Sequence, residues 1–494
     1  MSQDDDWPTG KQPRVIDDAD DIDEAPPAKA QKARRGSVDT DVDETAPVAV
    51  RSKKASRSAD ASAEAPRKSA KEALVWLRRV GEAALALAVL AGIVFLAGLN
   101  AGVTPAPPPR LNITSSLFCP SISGLEGAIS GVADSDLVWQ PNGAAAIPGS
   151  NYFQHAVDTE STLQGAGSVA GVVQFGAGAQ VAAAGCSTPS ASGYLQTGSA
   201  NQTLFLQNID AQDAILNVSI LGSAGEIDPP DFIDLTIPSG TVKQINIGDY
   251  ASGISPVAVR WQSTVGRVLA WMVDSSSSGL DLVMPTSSGT QVVVPGVPGG
   301  ATVQVLITNP AAVRIKVQVE ALTAQGRVVV GGADQLIVEA GSTTSVDVTS
   351  ALSTDPTALV VTGEQPVAAS AWLSHASDKA TSPGVLANQS GGVDAFGVTP
   401  GHSQVVISNV SQDDTTVTVA LNNAAPKTVR IAAGVTTAVD ANQPGAVRVS
   451  GTGVVAALVV RGGTDDTSGM SVIALAPDTA RAGLTPAWIE AQPV

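Results

Sequence analysis

Histidine, cysteine and aromatic residues are all scarce in this chain. Its 494 residues include three His, two Cys and only 3 % Phe, Trp and Tyr. With two thiols and no histidine near either, a four-ligand zinc site has too few donors to draw on. The shortage also bears on nucleophilic catalysis, which needs a Ser or Cys beside a base that a third group orients. No G-x-S-x-G elbow occurs. Ser374, His375 and Asp378 read as a polar loop beyond a strand end, and His155 and His402 have no evident partners. Paired carboxylates for glycoside hydrolysis are missing too, because the adjacent Asp413-Asp414 and Asp465-Asp466 would point apart. Few aromatics also means few platforms for stacking sugars.

Positive charge is the next deficit. The formal net charge is −18. From Ala101 onward 13 basic residues face 29 acidic ones, whereas residues 1–100 are nearly balanced at 15 against 17. An acidic outer region repels polyanions, which argues against nucleic acid as a partner.

What the chain does have is one long apolar run. Residues 83–104 carry no charge, and roughly 20 such positions in a helix cross a ~30 Å hydrocarbon core. Lys68, Lys71, Arg78 and Arg79 precede it, and Arg110 is the first base after it. That asymmetry predicts a single-pass anchor in the cell membrane, N-terminus cytoplasmic and C-terminus extracytoplasmic. A cleaved signal peptide is the rival reading, but the preceding region is long for one. The tail before the run pairs an acidic stretch (DDADDIDE, Asp17–Glu24) with basic clusters such as KARR (Lys32–Arg35). It has too few large apolar residues to offset chain entropy, so disorder is expected. Its basic part would lie near anionic lipid, and Ser37 and Ser56 sit where phosphate would weaken that attraction.

Both cysteines, Cys119 and Cys186, fall outside the predicted membrane, where an even pair reads as a disulfide. Beyond them the chain repeats itself about every 100 residues. LFLQNID, VLITNPA and VVISNVS are alternating strands that end at Asn208, Asn309 and Asn409. Later in each unit a tight turn holds Gly240, Gly341 or Gly434, where a positive φ is easy only for glycine. Six or seven alternating strands per unit suit an immunoglobulin-like β-sandwich. A propeller would have to split each unit in two, since a blade needs ~40–45 residues.

Trp271 and Trp372 occupy matching places in two repeats, with Val459 in the third, and are expected in the sandwich core. Trp139 and Trp488, beside prolines in loops, are the candidates for an exposed ligand contact. Calcium is the one cofactor the sequence leaves open, through Asp228, Asp231 and Asp234 in EIDPPDFID.

The whole pattern resembles an uncharacterised actinobacterial family of single-pass cell-envelope proteins. The likeness is carried by the charged tail, the anchor, Phe118-Cys119-Pro120, and the turns at Asn309-Pro310 and Asn409-Val410. The resemblance implies a role in envelope assembly beside a membrane glycosyltransferase, and it assigns no catalytic residues.

The expectation is therefore an all-β extracytoplasmic region of tandem immunoglobulin-like β-sandwich units, behind one transmembrane helix and a disordered tail. The boundaries expected are a cytoplasmic tail at 1–79 and an anchor at 80–104. A divergent disulfide-closed unit at 105–198 then precedes repeats at 199–298, 299–400 and 401–494. The function expected is that of a non-enzymatic scaffold or accessory protein partnered by another envelope protein. A wall-glycan-binding module and an enzyme with an unfamiliar site are the alternatives.

Overall fold

The computed structural model describes residues 114–141, 145–149, 152–276, 279–387, 392–422, 424–464 and 468–477. The tail, the apolar run and Trp488 lie outside them. Among the described residues no helix is long and apolar enough to cross a membrane. The class is all-β: antiparallel sheets of six, five, four, nine, four and four strands, interrupted by short 3-10 turns such as Pro230–Phe232.

The second unit shows the plan. Strands Ser192–Thr197, Ala214–Gly222, Gly225–Ile227, Leu235–Ile237 and Val257–Val265 build one sheet, and Thr203–Gln207, Val242–Asn246, Leu269–Ser276 and Gly279–Val283 the other. Alternation decides the facing. Leu216, Val218 and Ile220 point inward and meet Leu204, Leu206, Trp261 and Met272, while Asn217 stays outside. In an immunoglobulin sandwich the last two strands stay together in one sheet. Here they part: Val257–Val265 pairs with Ala214–Gly222, but Leu269–Ser276 crosses to Thr203–Gln207. Gly266 (φ 73°) marks the crossing, and Gly453 (φ 65°) marks it in the fourth unit. In the third unit one bent strand, Thr357–His375, serves both sheets, which merges them into the nine-stranded one.

Each repeat also begins earlier than the spacing of its Asn-ended strands predicts. Ser192–Thr197 pairs with Val257–Val265, Ser288–Val297 with Thr357–His375, and Gly392–Thr399 with Gly445–Thr452. These strands belong to the units that follow them. Their alternation is local, and nothing in it says which neighbour supplies the partner.

The first unit is one six-stranded sheet. The segment after Gly124, poor in sequence pattern, forms strands Gly127–Pro141 and Tyr152–Val157. A disulfide joins Cys119 to Cys186 across a separation of 67 residues.

The four units close on one another. The last strand of each (Gln180–Gly185, Gly279–Val283, Asp378–Pro383 and Met470–Ala474) comes to a common axis. Gln180–Gly185 packs beside both Gly279–Val283 and Met470–Ala474, and Asp378–Pro383 packs beside the same two. Small side chains permit this approach, with Ala182, Ala183 and Ala184 fully buried. Every seam of the ring carries a polar tie. Trp271 Nε1 donates to Ser121 O (3.2 Å), Gln196 Nε2 to Thr308 Oγ1 (2.8 Å) and Thr436 Oγ1 to Leu322 O (2.6 Å). Arg448 pairs with Asp134 (3.1 Å), which joins the fourth unit back to the first.

Candidate functional site

Buried acids are where chemistry would be sought first, and they lie on the axis. Asp378, the first residue of its axial strand, is 1 % exposed. Its Oδ2 accepts the backbone N–H of Val181 and of Met470, both at 3.0 Å, and its Oδ1 accepts that of Leu280 at 3.2 Å. Those donors stand at the starts of the other three axial strands, so one carboxylate joins all four units. Burial pushes its pKa up, against these N–H bonds and that of Lys379, which pull it down.

Two residues into the neighbouring axial strand, Asp281 is buried opposite Asp274 on the adjacent strand. Burial holds the Asp281 carboxyl up at about 7. The Thr381 hydroxyl (2.6 Å to Oδ2) and the Leu282 N–H (2.8 Å to Oδ1) work against that shift, and the Asp274 charge works with it. Ser471 closes the remaining side, since its hydroxyl lies 3.0 Å from Ala183 N and 2.9 Å from Ala183 O. Beside Asp378, Gly178, Gly462 and Gly469 bond each other in a cycle of backbone N–H to C=O contacts. A Cβ on Gly462 would fall 2.3 Å from Gly178 O, so only glycine fits there. This arrangement holds protons and backbone in place. Its carboxylate oxygens are occupied by the protein itself, which is the chemistry of a joint.

The residues singled out in the sequence are not brought together. Trp139 belongs to strand Gly127–Pro141, is 6 % exposed, and lies under His155 in a stacked pair (4.9 Å, 9°). A loop aromatic offered to solvent is therefore corrected: pairing with Ile147 and Leu163 carries Trp139 into the sheet. Asp228, Asp231 and Asp234 do not form a ligand set, and no group of three or more His, Cys, Asp or Glu fit to hold a metal ion exists among the described residues. The turn at Pro230–Phe232 instead buries Phe232 against Tyr250 (4.5 Å).

Trp271 and Trp372 are not equivalent positions. Trp271 pairs across its strand with Phe205, three residues before Asn208, whereas Trp372 pairs with Gln304, five before Asn309. They lie two residues apart on one sheet face, and that face looks toward the preceding unit. Trp271 stacks on Phe205 (5.1 Å) amid residues of the first unit, and Trp372 rests on Gly198 of the second. Their place is the seam between units, outside the sandwich core.

The recurring Asn has a clear role. Asn309 Nδ2 donates to Val313 O, Val338 O and Glu339 O while its Oδ1 accepts Ala311 N–H, all within 2.8–3.1 Å. Asn208 and Asn409 repeat the pattern in their own units. Gly240, Gly341 and Gly434 all have positive φ, as the repeat predicts.

Fold and joint together define an all-β repeat protein whose units close into a ring about a shared buried carboxylate. The chain belongs to a family of unknown function, DUF5719, whose model matches residues 144–442 and so spans the second and third units whole. No curated protein and no solved structure matches it.

Proposed function

We propose that this chain is a non-enzymatic scaffold or accessory protein of cell-envelope assembly, held at the membrane by the apolar run at 83–104 with its β units outside. The observation that carries the reading is the axial joint. The carboxylates best shielded from water, where a shifted pKa would serve catalysis, hold four units in one body. A rigid ring on an anchor presents fixed surfaces. One of them is the edge of the third unit, where Val328 and Val329 are 45 % and 47 % exposed and Ile337 is 53 % exposed on neighbouring short strands. Apolar edge strands invite pairing with another protein. The partner we infer is an envelope protein, and the family resemblance points to a membrane glycosyltransferase.

In-cell cross-linking of the full chain followed by mass spectrometry tests this. Reproducible capture of one membrane enzyme, lost in a Val328→Lys/Ile337→Lys variant that still folds, supports the reading. Capture of wall material without any protein would overturn it.

A further inference from the structure

Where the ring closes, the first and fourth units leave a cleft of about 470 Å³, within the size range of small-molecule sites. Three polar side chains reach it from the first unit, Glu126, Gln154 and Gln174, and two from the fourth, His402 and Arg461. The rest of its wall is glycine, alanine and Pro400, so the polar groups stand clear of bulky neighbours. None of the five makes a hydrogen bond or ion pair through its side chain with the described protein. Glu126, Gln154 and His402 are exposed, and Gln174 and Arg461 are half-buried. Arg260, Arg267, Arg327, Arg430 and Arg448 are each matched to a carboxylate; among the described residues the exposed Arg314 and the half-buried Arg461 are not.

One further observation concerns the lining. His402 sits in left-handed backbone (φ 47°), and its C=O accepts the Arg461 N–H at 2.9 Å, which fixes both residues at one point.

We infer that this seam cleft is a binding site for a neutral, hydroxyl-rich ligand, a mono- or disaccharide. The lining sets the class. A guanidinium, a carboxylate, an imidazole and two carboxamides offer donors and acceptors side by side, as vicinal hydroxyls require. One Arg against one Glu leaves no net charge to select an anion. The apolar part of the wall is limited to Ala128, Ala177, Pro400 and glycine, with no large aliphatic or aromatic side chain. The inference goes beyond the scaffold reading and does not depend on it.

The test is calorimetric titration of the purified full chain with a panel of neutral mono- and disaccharides, up to ~10 mM. Glutamate and inorganic phosphate serve as chemically distinct probes. At least one neutral sugar should bind. Arg461→Ala and Gln174→Ala should each weaken it about tenfold or more. Ala177→Trp, which narrows the cleft at an exposed position without removing a polar group, should abolish binding with the thermal midpoint unchanged. A panel with no binder, a binder indifferent to all three variants, or binding of glutamate or phosphate alone would overturn the proposal.

Discussion

The axis and the seam cleft are both built from polar residues at unit boundaries, yet they are opposites. On the axis Asp378 accepts N–H groups from three other units and Asp281 is bonded by Thr381 and Leu282. In the cleft Glu126, Gln154 and His402 are exposed, Gln174 and Arg461 are half-buried, and none has a protein partner for its side chain. The axial carboxylates are buried, whereas the cleft residues are exposed or half-buried. They also differ in whether the protein itself completes the hydrogen bonding. Where it does, the residues are joints, and their removal should cost stability. Where it does not, removal should cost binding.

Substitution breaks that contrast open. Asp378→Ala leaves three buried N–H groups without an acceptor, at ~1–3 kcal/mol each. A loss of about 5 kcal/mol in chemical unfolding is expected, with Asp378→Asn intermediate. Trp271→Ala removes the stacked partner of Phe205 and the bond to Ser121 at the first seam, and about 4 kcal/mol should go with it. Trp372, only half-buried, should cost less, a difference urea titration of the pair would resolve.

The titration of Asp281 comes next. Its carboxyl is held at about 7 in the folded chain against ~3.9 unfolded, so the folded state retains a proton that the unfolded state releases. Its contribution is complete below pH ~4, declines as pH rises, and is gone above about 7. Asp378, also raised, acts in the same direction. The difference between wild type and Asp281→Asn should therefore change by about 3 kcal/mol between pH ~5 and ~8, read from urea midpoints. The smallest effect sharpens the contrast most: Arg461→Ala should leave stability within ~0.5 kcal/mol of wild type.

Much of the local structure was legible. The Asn-ended strands, the glycine turns at 240, 341 and 434 and the Cys119–Cys186 pair are signalled by short, repeated patterns. Ring closure was not, because the axial strands that meet lie about a hundred residues apart and each is short and locally unremarkable. Asp378 reads as loop polarity beside His375 for the same reason: its partners are backbone amides, which no residue type announces. The two tryptophans were misaligned by two positions, since period-two alternation reports the face of a strand and not its register. The cleft was invisible because its two walls come from opposite ends of the repeat array.

Hydrogen exchange read by mass spectrometry on the Asp378→Ala chain, with Asp378→Asn beside it, addresses the joint most directly. Peptides covering 180–185, 279–283 and 470–474 should lose protection together, although none contains the substitution. Loss of protection confined to the third unit, with the other axial strands unchanged, would contradict the ring.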